Sequence, residues 1–191
     1  MGSPGIILTE QLVSEHSLIL ELISVLVLAV QKFETGGNVS PEFFLQSADF
    51  IRNFADKFHH AKEENILFKK MVAKGMPEKD SPIEAMLLEH EQGREFVKGM
   101  VIAVESFAEG NESAKNEIIR NALGYSDLLK EHIEKEDNIL YPLAERTFTE
   151  SEKISQLKLF KKAEQERGGK LTIRKYSNLV KKLEKEINGV S

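Results

Sequence analysis

Apolar residues recur along the chain at spacings of three and four, in long runs, and no useful length alternates with the period of two that a half-buried strand needs. The pattern predicts an all-α protein. Thr9 opens a first helix that runs to about Glu34 and stops at Gly36-Gly37. Ser40-Pro41 opens a second, with proline at the first helical position, and it ends near Lys74-Gly75. SPIE, Ser81 to Glu84, reads as a capping box with proline inserted and opens a third helix to about Glu109-Gly110. Asn111 or Ser113 caps a fourth, which Pro142 is expected to kink or terminate. After TFTESE come one or two shorter helices, broken at Gly168-Gly169 and stopped at Asn188-Gly189. Long helices with short connections predict an up-down-up-down four-helix bundle over residues 1–150, with residues 151–191 as a helical extension packed on it.

The second helix carries KFHHAKEENILF, and helical phase at about 100° per residue sorts its doublets. With His59 at zero, Glu63 lies at about +40° beside Ala48, Ala55 and Ile66, while Glu64 swings to about +140°. His60, at about +100°, reads as a boundary residue and not a ligand. The same sum around His132 puts Tyr125, Leu128, Ile139 and Leu143 on the inward line, Glu136 at about +40° and Asp137 at about +140°. His16 sits among Leu12, Leu20, Ile23 and Val27, and His90 among Ile83, Met86, Val97 and Val101. Each long helix thus carries one inward histidine.

The arrangement repeats. FHHAKEENILF aligns without a gap on KEHIEKEDNILY, so His59 matches His132 and Glu63 matches Glu136 at an offset of 73 residues. His16 in SEHSLI matches His90 in LEHEQG at an offset of 74. Helices one and two look like a copy of three and four.

Composition narrows the chemistry. The 191 residues are 41% hydrophobic, enough for one compact domain without staples, and contain no cysteine. Disulfides, thiolate catalysis and cysteine-ligated zinc or iron–sulfur sites are therefore excluded. No dinucleotide fingerprint is present, so an enzyme built on this chain needs an outside electron donor. The net charge of −5 hides an asymmetry: residues 1–150 hold 15 Lys and Arg against 26 Asp and Glu, and residues 151–191 hold 11 against 5. The expected reading is a basic segment docked on an acidic body; with Phe160 and Tyr176 as its aromatics it makes a poor nucleic-acid platform. The most apolar run, LILELISVLVLAV, is about 13 residues long and carries Glu21, short of a bilayer span. With no cleavable leader pattern either, a cytoplasmic protein without membrane association is expected.

Two glutamates on the core stripes need their charge neutralised, and the inward cation visible in the pattern is Arg94, four residues after His90. A dinuclear metal site compensates more completely, and imidazole with carboxylate suits iron, manganese or zinc. The candidate ligands are His16, His59, Glu63, His90, His132 and Glu136. Behind them, Arg94 is a candidate to orient a carboxylate or steady a bound anionic oxygen species, and Tyr125 to donate a hydrogen bond. Gly93 and Gly99 are expected to let the third helix approach its neighbours.

These phrases, EH at 15–16, HHAKEENILF at 59–68, EHEQGR at 89–94 and HIEKEDNILYP at 132–142, resemble the hemerythrin-like family of HHE cation-binding domains over roughly residues 9–148. The resemblance implies a four-helix bundle around a non-haem di-iron centre, the two irons joined by an oxo or hydroxo bridge. Oxygen-carrying members have a fifth histidine where this chain has Arg94, and an aspartate at the position of Asp137. Sensor and repair members use glutamate at the position of Glu136. The chain is closer to this four-histidine branch. Two histidine nitrogens, one oxygen from each carboxylate and the bridge then give each iron five donors and leave a sixth position open for O₂, NO or peroxide.

Overall fold

The computed structural model describes residues 5–189; residues 1–4 and 190–191, the outermost parts of the two predicted segments, lie outside it. Six helices follow in order. Helix α1 is Glu10–Glu34. Helix α2 starts at Pro41–Phe50, widens into π-helix over Ile51–His60 and again over Glu63–Leu67, and ends as Phe68–Ala73. Helix α3 is Pro82–Ala108. Helix α4 runs from Ala114–Lys135 through a π turn at Glu136–Leu140 into Tyr141–Thr147. Helices α5, Glu150–Glu166, and α6, Lys170–Asn188, complete the chain. Helices α1 to α4 pack as a ring of sequential neighbours, with α4 returning to α1, as an up-down bundle requires.

Capping chemistry sets most boundaries. The Ser40 hydroxyl accepts from the Phe43 amide at 3.2 Å. Ser81 accepts from the Glu84 amide, but the Glu84 carboxylate accepts from Asp80 N at 2.7 Å and not from Ser81, so the predicted box is displaced by one residue. The complete box is at Thr149 and Glu152, which starts α5. Thr9 makes no side-chain cap; its amide and hydroxyl both donate to Glu145, at 2.8 and 3.0 Å, and tie the entry of α1 to the end of α4. Ser113 also precedes its helix without capping it, its hydroxyl donating to Asn111 instead.

Pro142 does not terminate α4, which continues to Thr147. Proline removes one backbone donor and crowds the preceding turn. Here the π turn over Glu136–Leu140 widens the backbone immediately ahead of the ring, and Pro142 falls in the first turn of the α-helical stretch that follows.

The histidines form a polar layer between two apolar clusters. One contains Leu26, Phe54, Val104 and Leu129, the other Leu12, Leu67, Met71 and Phe160. Close approach of α3 to α4 rests on Gly99 and Gly124, where a Cβ would lie 2.5 Å from Asn121 Oδ1 and from the Phe96 ring. Gly93 makes no such contact: its added Cβ would meet Tyr125 at an ordinary 3.6 Å.

Helix α6 lies on α1 and α2 through Tyr176, Val180 and Leu183, with the Tyr176 ring edge-on to Phe50 at 5.4 Å. Helix α5 packs on the Glu63–Leu67 turn and buries Phe160 completely. Apolar contact carries this docking, and the ion pairs across it run in both directions, Lys175 to Asp49 but Lys62 to Glu164. Contrary to the reading of its 13-residue run, α1 is long and apolar enough to cross a membrane by length and composition, yet half of that window is buried inside the bundle.

Candidate metal centre

The four histidines turn their Nε2 atoms toward one another across the bundle axis. His16 and His59 face each other with ring centroids 4.6 Å apart, and His90 and His132 at 4.7 Å with Nε2 to Nε2 at 3.0 Å. Each sequence half thus contributes one histidine pair. The carboxylates join the halves. Glu136 Oε2 lies 3.2 Å from His16 Nε2 and 3.3 Å from His132 Nε2; Glu63 Oε2 lies 3.5 Å from His59 Nε2 and 3.8 Å from His90 Nε2. All six residues are at most 2% exposed.

Burial makes that convergence costly without a ligand. His59 Nε2, Glu63 Oε2 and both oxygens of Glu136 are buried without a hydrogen-bond partner, although they sit close to one another. Burial, reinforced by the charge of Glu136, pushes Glu63 well above the usual carboxylate range. Burial also opposes the charge of Glu136, but His132 and His16 outweigh it and hold that carboxyl well below its usual value. Burial disfavours the His16 imidazolium, yet the hydrogen bond to Asp137 and the nearby charge of Glu136 lift it to about 9. His59, crowded by burial and by the charge of His16, goes well below. The polar layer gathers protons and charge at the place where cations would resolve both, and its donors suit two metals sharing two carboxylates.

The outward nitrogens carry the strongest regularity. Every Nδ1 meets a carboxylate: His16 on Asp137 at 2.8 Å, His59 on Glu15 at 2.7 Å, His90 on Glu64 at 2.7 Å and His132 on Glu89 at 2.9 Å. Such a partner fixes the tautomer with Nδ1 protonated, leaving the Nε2 lone pair aimed at the centre. The partners obey the repeat, Glu15 with Glu89 and Glu64 with Asp137. Lys62 and Lys135 form a third layer, each bound to the glutamate behind its histidine. Sequence reasoning left these four carboxylates out. Two of them had a signal in the doublets, where the first acid of EE and ED faces the centre and the second, Glu64 or Asp137, holds a histidine on another helix; the other two, Glu15 and Glu89, directly precede His16 and His90.

Arg94 donates to Asp56 and to Glu64, at 2.7 and 2.6 Å; it stands behind His90 and does not reach the centre. Tyr125 makes no hydrogen bond to any ligand; its hydroxyl is buried and unpartnered. The tyrosine at the centre is Tyr141, whose hydroxyl donates to Glu63 Oε1 at 2.6 Å and lies 3.3 Å from His16 Nε2. His60 is not a boundary residue. It is 6% exposed and stacks on His90 with centroids 3.7 Å apart and planes 11° from parallel. The wide winding of Ile51–His60 advances less per residue than an α-helix and carries His60 inward. Stacked parallel rings do not converge on one ion, although His60, His90 and His132 have nitrogens within 4.8 Å. His59→Ala should therefore abolish one metal equivalent while His60→Ala keeps both, read by metal analysis after anaerobic loading; equal loss would show His60 to be a ligand.

A helical bundle with an internally repeated His/Glu centre, every imidazole backed by a carboxylate, defines a cation-binding domain. The family model of the hemerythrin HHE cation-binding domain matches residues 7–144, and the chain belongs to that family. Uncharacterised proteins of Mycobacterium tuberculosis (strains H37Rv and CDC 1551) and of Mycobacterium bovis are 21% identical over 179 residues, covering 93% of this chain and 69% of each relative. No solved structure matches the chain.

Proposed function

We propose that the protein holds two iron ions and uses their open coordination positions to bind O₂, NO or peroxide. The observation that carries this reading is the set of orphaned, buried atoms of His59, Glu63 and Glu136 at the meeting point of four Nε2 atoms. His16 and His59 would hold one ion, His90 and His132 the other, with Glu63 and Glu136 shared. Iron supplies a redox-active Lewis acid; manganese or zinc fits the same donors. The chain's own part is positional. Glu15, Glu64, Glu89 and Asp137 fix the imidazoles, Arg94 fixes Glu64, and Tyr141 supplies a hydroxyl proton on Glu63 and beside His16. The apolar clusters above and below exclude water.

Anaerobic iron loading tests it, with metal content and optical spectrum read before and after O₂, NO or peroxide. Two equivalents and a spectrum that changes on mixing are expected. Less than half an equivalent, or no change with any of the three, would overturn the proposal. Catalytic turnover with an added electron donor, in place of a stable adduct, would favour a di-iron redox enzyme over a binding or sensing protein.

A further inference from the structure

The internal repeat is broken in one place that matters for access. On the first half, α5 lies against the Glu63–Leu67 turn, and Lys62, which backs Glu15, is completely buried with Glu164 of α5 at 3.6 Å. Its repeat mate Lys135 is 41% exposed. The second half instead has a cavity of about 260 Å³ between α2, α3 and α4 that reaches His90. Gly93 lines it, and the repeat places Ile19, 1% exposed, opposite Gly93. The matching position thus carries a buried side chain in one half and a glycine on a cavity wall in the other. Gly93 is not required by packing, since a Cβ there would make only ordinary contacts, and glycine inside a helix weakens it.

Its apolar walls are Ile51, Val97, Leu129 and the Tyr125 ring, and the His60 and His90 rings line it too. At the edge Arg94 is bound to Asp56 at 2.7 Å and Lys98 lies 3.6 Å from Glu95, and Arg52 also stands at the rim. Two buried polar atoms of the lining lack a hydrogen-bond partner, the Tyr125 hydroxyl and His60 Nδ1, and the second lies 3.6 Å from the Asp56 carboxylate. The Tyr125 hydroxyl is buried without a partner, which burial and the neighbouring Asp56 keep protonated. A buried hydroxyl without an acceptor loses its hydration with nothing in return. The volume approaches the lower end of small-molecule pockets and far exceeds what a diatomic needs.

We infer that this cavity binds a small neutral organic molecule with an apolar body and one oxygen acceptor, the oxygen taking the Tyr125 proton and the body filling the space that Gly93 leaves. The class includes alkyl hydroperoxides and their alcohols. The inference rests on the proposed metal centre only for what the bound oxygen meets beyond His90; the pocket belongs to the chain itself.

Two-dimensional NMR of the zinc-loaded, redox-inert protein tests it, titrated with tert-butanol and tert-butyl hydroperoxide, with benzoate as the charged comparison and zinc content measured on each sample. Saturable shifts confined to residues around Gly93, Val97, Tyr125 and Leu129 are expected for both neutral probes. Binding should weaken at least fivefold in Tyr125→Phe and vanish in Gly93→Val, with Gly93→Ala intermediate and as stably folded as the native chain. Absent saturation, shifts elsewhere, equal binding in folded Gly93→Val, or equal affinity for benzoate would overturn the inference. A sample that binds tert-butanol without holding zinc would sink the metal proposal and leave the pocket standing; two zinc equivalents without binding would do the reverse.

Discussion

Chelating the metals should lower the melting temperature by roughly 15–30 °C. A ligand present at a thousand times its Kd adds about 4 kcal/mol of stability per site, and in a domain of this size each kcal/mol moves the midpoint by about 2–4 °C. Two ions therefore give a large shift. The cause is visible in the polar layer, where two carboxylates and four imidazoles are withdrawn from water between apolar clusters. Glu63→Gln keeps the shape and the acceptor for Tyr141 while removing a carboxyl that burial keeps protonated and that only cations would hold ionised. In that variant the drop on chelation should shrink by more than half, and its chelated form should melt no lower than the chelated native protein. Differential scanning calorimetry with and without chelator checks both. A native midpoint that moves by less than 5 °C would show that the layer is stable without cations.

The second large effect separates two residues that the repeat makes equivalent. Glu15→Ala should cost up to about 3–5 kcal/mol, because it leaves the buried Lys62 with the longer pair to Glu164 at 3.6 Å. Glu89→Ala should cost under about 1 kcal/mol from its ion pair, because Lys135 turns into solvent. Both variants release the Nδ1 of one histidine, His59 or His132, and each should weaken the corresponding metal site by about 10- to 100-fold. Urea unfolding separates the stabilities, and competitive metal titration shows the shared loss of affinity. Equal destabilisation of the two variants would mean that the cover provided by α5 contributes nothing.

The sequence made helix number, order and most ends readable because breakers and caps act locally: Ser40-Pro41, Ser81-Pro82 and Gly168-Gly169 fall where the helices begin or turn. The inward positions of His59, Glu63, His132 and Glu136 were equally legible, since an apolar stripe reports which face is buried. His60 was misplaced by assuming α-helical winding through a stretch that is π-helical, a departure no propensity announces. Pro142 failed as a terminator for the same reason. Tyr125 was singled out by its phase on the His132 line; Tyr141 is equally interior, and its hydroxyl's contact with Glu63 lies across the bundle, where a one-helix phase does not reach. The outer carboxylates were hidden because each lies on a helix other than that of the histidine it holds, information that a one-helix projection does not carry.

Glu63 and Glu136 each stand at the first residue of a π turn, at matching places in the two halves. A wide turn inside an α-helix behaves as a one-residue insertion absorbed without a loop. The frame of each ligand helix therefore changes at the centre itself. Residues before the turn, among them His59 and His132, are indexed to one frame; those after it, including Leu67 and Tyr141, are indexed to another. Removing a single residue between Glu136 and Tyr141 would restore ordinary winding and rotate everything downstream by about 100°. The tyrosine hydroxyl would then swing off Glu63, and Ala144 and Phe148 would leave the apolar cluster beneath the centre. The extra residue in each half thus acts as a gear step, letting one helix present a metal-facing acid and an apolar face that a uniform screw could not align.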